Sequence, residues 1–215
     1  MSEDTITVAE QFDDLEQEQD ASRLGMWVFL GTEILFFSAL FTGYLILRMH
    51  FNEAFAMGSR DTNLTIGIIE SSSLLLSSLT ASLAVHQLQA GASSRSAVLF
   101  LLLTIFFGVV MVALEGLGYH HDYVMHHVPG LNFEYQSPYA RQVELFYFMY
   151  YVMTGYHLLH LLLGIVILSV IARMTWRGTF NHQYYSPVEV SVLFWQFVNI
   201  LWIFMFPLFY LVSRT

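Results

Sequence analysis

Five apolar blocks, each long enough to cross a bilayer, constrain this chain more than any other feature. They run over about 24–47, 64–88, 97–117, 145–171 and 188–212, and a helix needs roughly 20 apolar residues to span the hydrocarbon. Together they fill more than half of the 215 residues, so no stretch remains for a separate soluble domain. The blocks are continuously apolar, without the period-two alternation of a transmembrane strand barrel. The expected fold class is therefore an all-α membrane protein, a bundle of five transmembrane helices. With 56% hydrophobic and 12% charged residues, the chain has about half the charge of a soluble domain.

The charge that is present is unevenly placed. Residues 1–22 carry Glu3, Asp4, Glu10, Asp13, Asp14, Glu16, Glu18 and Asp20 with no base, which reads as a solvated, disordered tail ahead of a five-helix domain at 23–215. It is the opposite of a signal peptide, which opens on positive charge. Cysteine is absent, which excludes disulfides, thiolate metal sites and a cysteine nucleophile. Lysine is absent too, which excludes Schiff-base chemistry and a P-loop lysine. No basic cluster suits nucleic acid. Arg23, Arg95, Arg173 and Arg177 fall on the tail side and Arg48, Arg60, Arg141 and Arg214 on the other, a tie from which the positive-inside rule cannot orient the chain.

Ionisable groups inside the spans are costly and each needs a role. Glu33 lies roughly 13 Å into the first span and must either take a proton or hydrogen-bond to a neighbouring helix. His157 and His160 share one helix face in the fourth span. They could ligate a metal or haem, but such a site needs further ligands, so hydrogen bonds across helices are the favoured reading. Asn199 reaches a similar depth, so a midplane network of Glu33, His157, His160 and Asn199 is geometrically allowed. Glu70 and Glu115 occupy ends that share the non-tail side; if adjacent, they favour sharing a proton, and otherwise each snorkels outward.

Outside the spans, His120, His121, His126 and His127 with Asp122 and Glu134 make a metal-capable loop without the spacing of a specific metal site. Trp27, Trp176, Trp195 and Trp202 read as an aromatic belt. The spacings Ser73/Ser77 and Ser78/Ser82 suit close helix packing, and Ala39/Gly43 with Ser73/Ser77 is expected to bring the first two spans together. Arg95, Trp176, Arg173 and Arg177 gather at the tail side, where guanidinium groups can hold lipid phosphate.

Three segments resemble subunit III of haem-copper terminal oxidases, the cytochrome c oxidase subunit III family. The run Gly25-Met26-Trp27-Val28-Phe29-Leu30-Gly31-Thr32-Glu33 is similar to the opening of its helix bundle. Thr154-Gly155-Tyr156-His157-Leu158-Leu159-His160 with Gly164 resembles its Thr-Gly-Phe-His-x-Leu-His motif. Glu189, then Trp195-Gln196-Phe197-Val198-Asn199-Ile200-Leu201-Trp202, resembles its closing Trp-His-Phe-Val-Asp-x-x-Trp pattern, and Phe206-Pro207-Leu208 suits the bacterial branch. With Ser77-Ser78-Leu79-Thr80, the resemblance runs from Gly25 to Leu211.

The resemblance implies the five-helix form of that subunit in a bacterial cytoplasmic (inner) membrane, with the N-terminus cytoplasmic and the C-terminus outside. It implies a non-redox role in a proton-pumping cytochrome c oxidase, with no metal, haem or catalytic residue in this chain. Haem and copper are expected in partner subunits, chiefly subunit I and then subunit II, while this chain binds phospholipid and sustains proton uptake. Glu33 matches the family's carbodiimide-reactive carboxylate. Glu70, Glu115, Gln196 and Asn199 depart from the family pattern, so roles carry over only at Glu33, His157, His160 and Glu189. An accessory membrane protein of nitric oxide reductase shares the fold. A small proton-coupled transporter would show a repeat or broken helices, and a membrane cytochrome would need paired axial ligands on facing helices.

Overall fold

The computed structural model describes residues 11–91, 93–180 and 184–211. Helix α1 spans Leu15–His50, α2 Asn52–Asp61, α3 Leu64–Gln89, α4 Ser94–Val124, α5 Ala140–Trp176 and α6 Ser186–Phe206, followed by a π-helical turn at Pro207–Leu211. Five of these, all but α2, are long and apolar enough to cross a membrane, with α6 and the turn counted together. Among the described residues there is no strand.

Helix starts follow from their capping residues. Asp14 accepts from the Gln17 amide at 2.8 Å, and the Gln17 side chain accepts from the Asp13 amide at 2.7 Å, so two donors that a helix start leaves unpaired are satisfied reciprocally. Glu16 and Glu18 sit in the first turn, where negative charge complements the helix dipole. For these reasons α1 begins at Leu15, and the expected disordered tail is corrected over 15–22; residues 1–10 lie outside the described part. Asn63 and Ser93 cap α3 and α4 in the same manner. At the other end of α5, Gly178 adopts φ +79°, the left-handed conformation that closes a helix and favours glycine. The short α2 was not expected. Its apolar residues Ala54 and Phe55 are buried, and its Gly58 lies so close to Phe146 of α5 that an added Cβ would fall 2.3 Å from that ring.

α6 is the centre of the bundle and packs against α1, α3 and α5. Of its span 56% is buried, against 11% for α1, so α1 is the peripheral helix. Trp195 of α6 fixes the centre: its six-membered ring lies between Gly108 of α4 and Gly164 of α5, and its indole N–H donates to Ser77 Oγ of α3 at 2.7 Å. One turn pair further on, Trp202 donates to Ser71 Oγ at 3.0 Å. Both indoles are essentially unexposed, so the aromatic-belt reading is corrected for these two: a serine of α3 pairs each N–H, and beside Trp195 two glycines admit the large ring. Trp27 and Trp176 are 60% and 76% exposed.

The serine-rich α3 thus works as a polar seam. Ser78 donates to Gln196 Oε1, and Gln196 Nε2 donates to Ser78 O and Ser82 Oγ, each at 2.9 Å. Thr80 and Thr104 hydroxyls pair at 2.8 Å between α3 and α4. The expected approach of Ser73/Ser77 to Ala39/Gly43 is corrected, because Ser77 bonds to α4 and α6 and the neighbour of Gly43 is Met149 of α5.

Candidate functional site

Glu33 and His160 come together. The Glu33 Oε2 to His160 Nε2 distance is 3.0 Å, and His160 Nδ1 lies 2.8 Å from the Tyr156 carbonyl. A carbonyl only accepts, so Nδ1 carries the hydrogen. Nε2 is then the ring atom that faces the carboxyl, and the contact joins α1 to α5. The Glu33 side chain is 19% exposed and that of His160 10%, so the pair sits at the rim of the bundle beneath the T-shaped contact of Phe37 with His160.

His157 belongs elsewhere. Its Nε2 donates to the Val198 carbonyl at 3.2 Å, and its ring lies 5.2 Å from the Trp202 ring centroid. It therefore ties α5 to α6, with Nδ1 left unpartnered. Asn199 is buried with both amide atoms unpartnered and lines a cavity of about 240 Å³ between α3 and α6 with Ser71, Ser78, Gln196 and Trp202. The allowed midplane network of four residues is thus divided into one joined pair, His157 facing α6, and Asn199 facing α3. Depth put them at one level, but their azimuths differ. Among the described residues no group of three or more His, Asp or Glu is arranged to hold a metal ion.

Glu70 of α3 and Glu115 of α4 are buried side by side, away from the Glu33 pair. Outward snorkelling is excluded for both, since their exposures are 0% and 1%.

At the tail end of the bundle, Arg95 and Trp176 line a groove of about 400 Å³ with Val98, Leu99 and Leu102. Arg173, Trp176 and Arg177 line an adjoining groove of about 510 Å³ that shares Val98 and Leu102. The four residues gather where α4 meets α5, with aliphatic side chains running from them toward the bilayer interior. Sequence reasoning missed the ion pair of Arg23 with Glu189, whose closest approach is 2.8 Å and which joins α1, about two turns in, to the first turn of α6. It named Asp122 as a loop residue but missed its burial at the end of α4, and it missed the Tyr119 to Thr154 bond of 2.6 Å. By hydropathy Asp122 falls in the His-rich loop, and only the longer reach of α4 turns it inward.

Residues 11–214 match the family described as cytochrome c oxidase subunit III. The chain belongs to that family. It is 29% identical over 203 residues to quinol oxidase subunit 3 of Bacillus subtilis (strain 168), covering 93% of this chain and 92% of that one. It is 30% identical over 208 residues to cytochrome c oxidase subunit 3 of Thermostichus vulcanus, covering 94% and 92%. A probable quinol oxidase subunit 3 of Staphylococcus saprophyticus is 27% identical over 216 residues, covering 100% and 98%. Within this subunit III chain, the four motif residues Glu33, His157, His160 and Glu189 each make a contact between helices: Glu33 with His160, His157 with α6, and Glu189 with Arg23.

Proposed function

We propose that this chain is the non-redox subunit III of a bacterial haem-copper terminal oxidase in the cytoplasmic membrane, with its N-terminus on the cytoplasmic side. It braces the catalytic subunit, holds phospholipid and keeps proton delivery to that subunit working during turnover. Relatives named for quinol and for cytochrome c share the subunit, so the reading is to the oxidase class rather than to an electron donor.

The observation that carries the reading is the joining of Arg95, Arg173, Trp176 and Arg177 above the apolar grooves between α4 and α5. Guanidinium groups offer paired donors to a phosphate, an indole suits the headgroup level, and the aliphatic walls below match acyl chains. The peripheral α1 supports the bracing role: it keeps Leu24, Val28 and Leu35 at 66%, 63% and 74% exposure, a surface left for lipid or for the larger subunit.

A tagged chain solubilised from membranes tests both parts. It brings down a haem-bearing membrane subunit; a chain that comes down without haem overturns the oxidase reading. In the intact complex, Arg173→Gln with Arg177→Gln lowers bound phospholipid and shortens the active lifetime during turnover, while the initial rate and haem spectrum stay the same. Unchanged lipid content and lifetime overturn the lipid role.

A further inference from the structure

The geometry points to a second proton-exchange site, separate from Glu33, built on the Glu70–Glu115 pair and reached from the non-tail side through Asp122. Three observations lead there. The two carboxyl groups act directly on each other across the α3–α4 contact, and Glu115 also borders Thr154 and Tyr119. Both are wholly buried, yet none of their four oxygens makes a hydrogen bond of ordinary geometry. Finally, a cavity of about 10 Å³ reaches Glu70, lined by Thr62, Asn63, Gly118, His121, Asp122 and Tyr210 among others, and a volume of about 10 Å³ is what one water needs.

Two carboxylates in one dry site repel, and each would carry the full cost of an unpaired buried charge. One proton between them removes a charge and makes a hydrogen bond where there was repulsion. The proton comes from hydronium at the surface and returns there, so nothing else is consumed. Four parts of the chain around the pair contribute groups that can relay or polarise. α4 gives Tyr119, His121 and Asp122; α5 gives Tyr150, Tyr151 and Thr154; the π-helical turn gives Tyr210. The link before α3 gives Thr62 and Asn63. Tyr119 bonds Thr154 at 2.6 Å, and the Tyr150 and Tyr210 hydroxyls lie 3.4 Å apart. His121 is exposed and Asp122 buried, so the polar groups step from the surface to the pair, which sits roughly 9 Å inside the start of α3.

Infrared spectroscopy of the purified complex tests this without reference to turnover, so its outcome is independent of the lipid reading. The expected signal is a protonated-carboxyl C=O band that shifts within minutes in D2O. Glu70→Gln and Glu115→Gln each move that band to a new frequency, because the carboxyl that remains is still buried and keeps its proton but has lost its partner; the double variant abolishes the band, and Glu33→Gln leaves it unshifted. Asp122→Asn keeps the band but slows its deuterium shift by about tenfold or more, as loss of one relay group does. Absence of the band in the unaltered protein, its survival unshifted in a single Gln variant or at all in the double variant, or a band that never exchanges overturns the proposal. An exchange rate untouched by Asp122→Asn overturns the route. The unaltered complex supplies the first and third readings even where a variant fails to assemble.

Discussion

Gly108→Ala tests the clamp around Trp195, and the structure sets its size. A Cβ on Gly108 would stand 2.6 Å from Trp195 Cη2 and 3.0 Å from Cζ2; one on Gly164 would stand 2.7 Å from Cε3 and 2.9 Å from Cζ3. Ordinary carbon contacts lie at about 3.5–4.0 Å, so either alanine intrudes by about 1 Å. The ring has nowhere to go, because the two glycines press on opposite edges and Ser77 holds the indole N–H at 2.7 Å. Overpacking of this kind costs about 1–3 kcal/mol, against about 1 kcal/mol that alanine returns through helix propensity. We expect Gly108→Ala and Gly164→Ala each to destabilise the bundle by up to about 2 kcal/mol on that balance. Trp195→Phe removes most of the clashing atoms, so in that background the same alanines become neutral or stabilising. The cycle then shows a coupling on the order of 1–3 kcal/mol. Thermal unfolding in detergent, followed by the near-ultraviolet signal of the tryptophans, measures all four corners. An equal effect of the alanines in both backgrounds, and hence no coupling, refutes the clamp.

Glu33→Gln keeps a donor for His160 Nε2 and leaves α1 docked, whereas Glu33→Ala strands that nitrogen and weakens the docking by about 1–3 kcal/mol; limited proteolysis of the α1–α2 junction separates the two. In the loop outside the spans, His127 is held below its usual range first by burial, with Tyr147 OH at 2.9 Å from its Nδ1. Its folded form therefore binds fewer protons than the unfolded one, so its stabilisation is complete above about 6.5, the unfolded value, and declines as pH falls below that. Hydrogen exchange over 125–135 is expected to quicken on acidification in the unaltered chain and to lose that dependence in His127→Phe. A loop indifferent to pH in the unaltered chain refutes this.

Hydropathy and span length by themselves determined the class, the number of crossings and the peptide stretches involved, because the bilayer demands that each crossing satisfy its own backbone. The sequence carried the caps as well: Asp14 with Gln17, and Asn63, are local chemistry that needs no partner helix. Its motif residues pointed to the right helices, yet which side chains meet depends on azimuth and on what lies opposite. Glu33, His157, His160 and Asn199 share a depth, but only packing decided that Glu33 turns to His160 while His157 turns to Val198 and Asn199 toward α3. Glu70 and Glu115 lie 45 residues apart in the numbering, and only the α3–α4 contact makes them a pair. Trp195 and Trp202 show the same thing from the other direction. Composition sends a tryptophan of a membrane protein to the interface, and it is a serine of α3 opposite each that draws these two into the core, with glycines on α4 and α5 making room for the ring of Trp195.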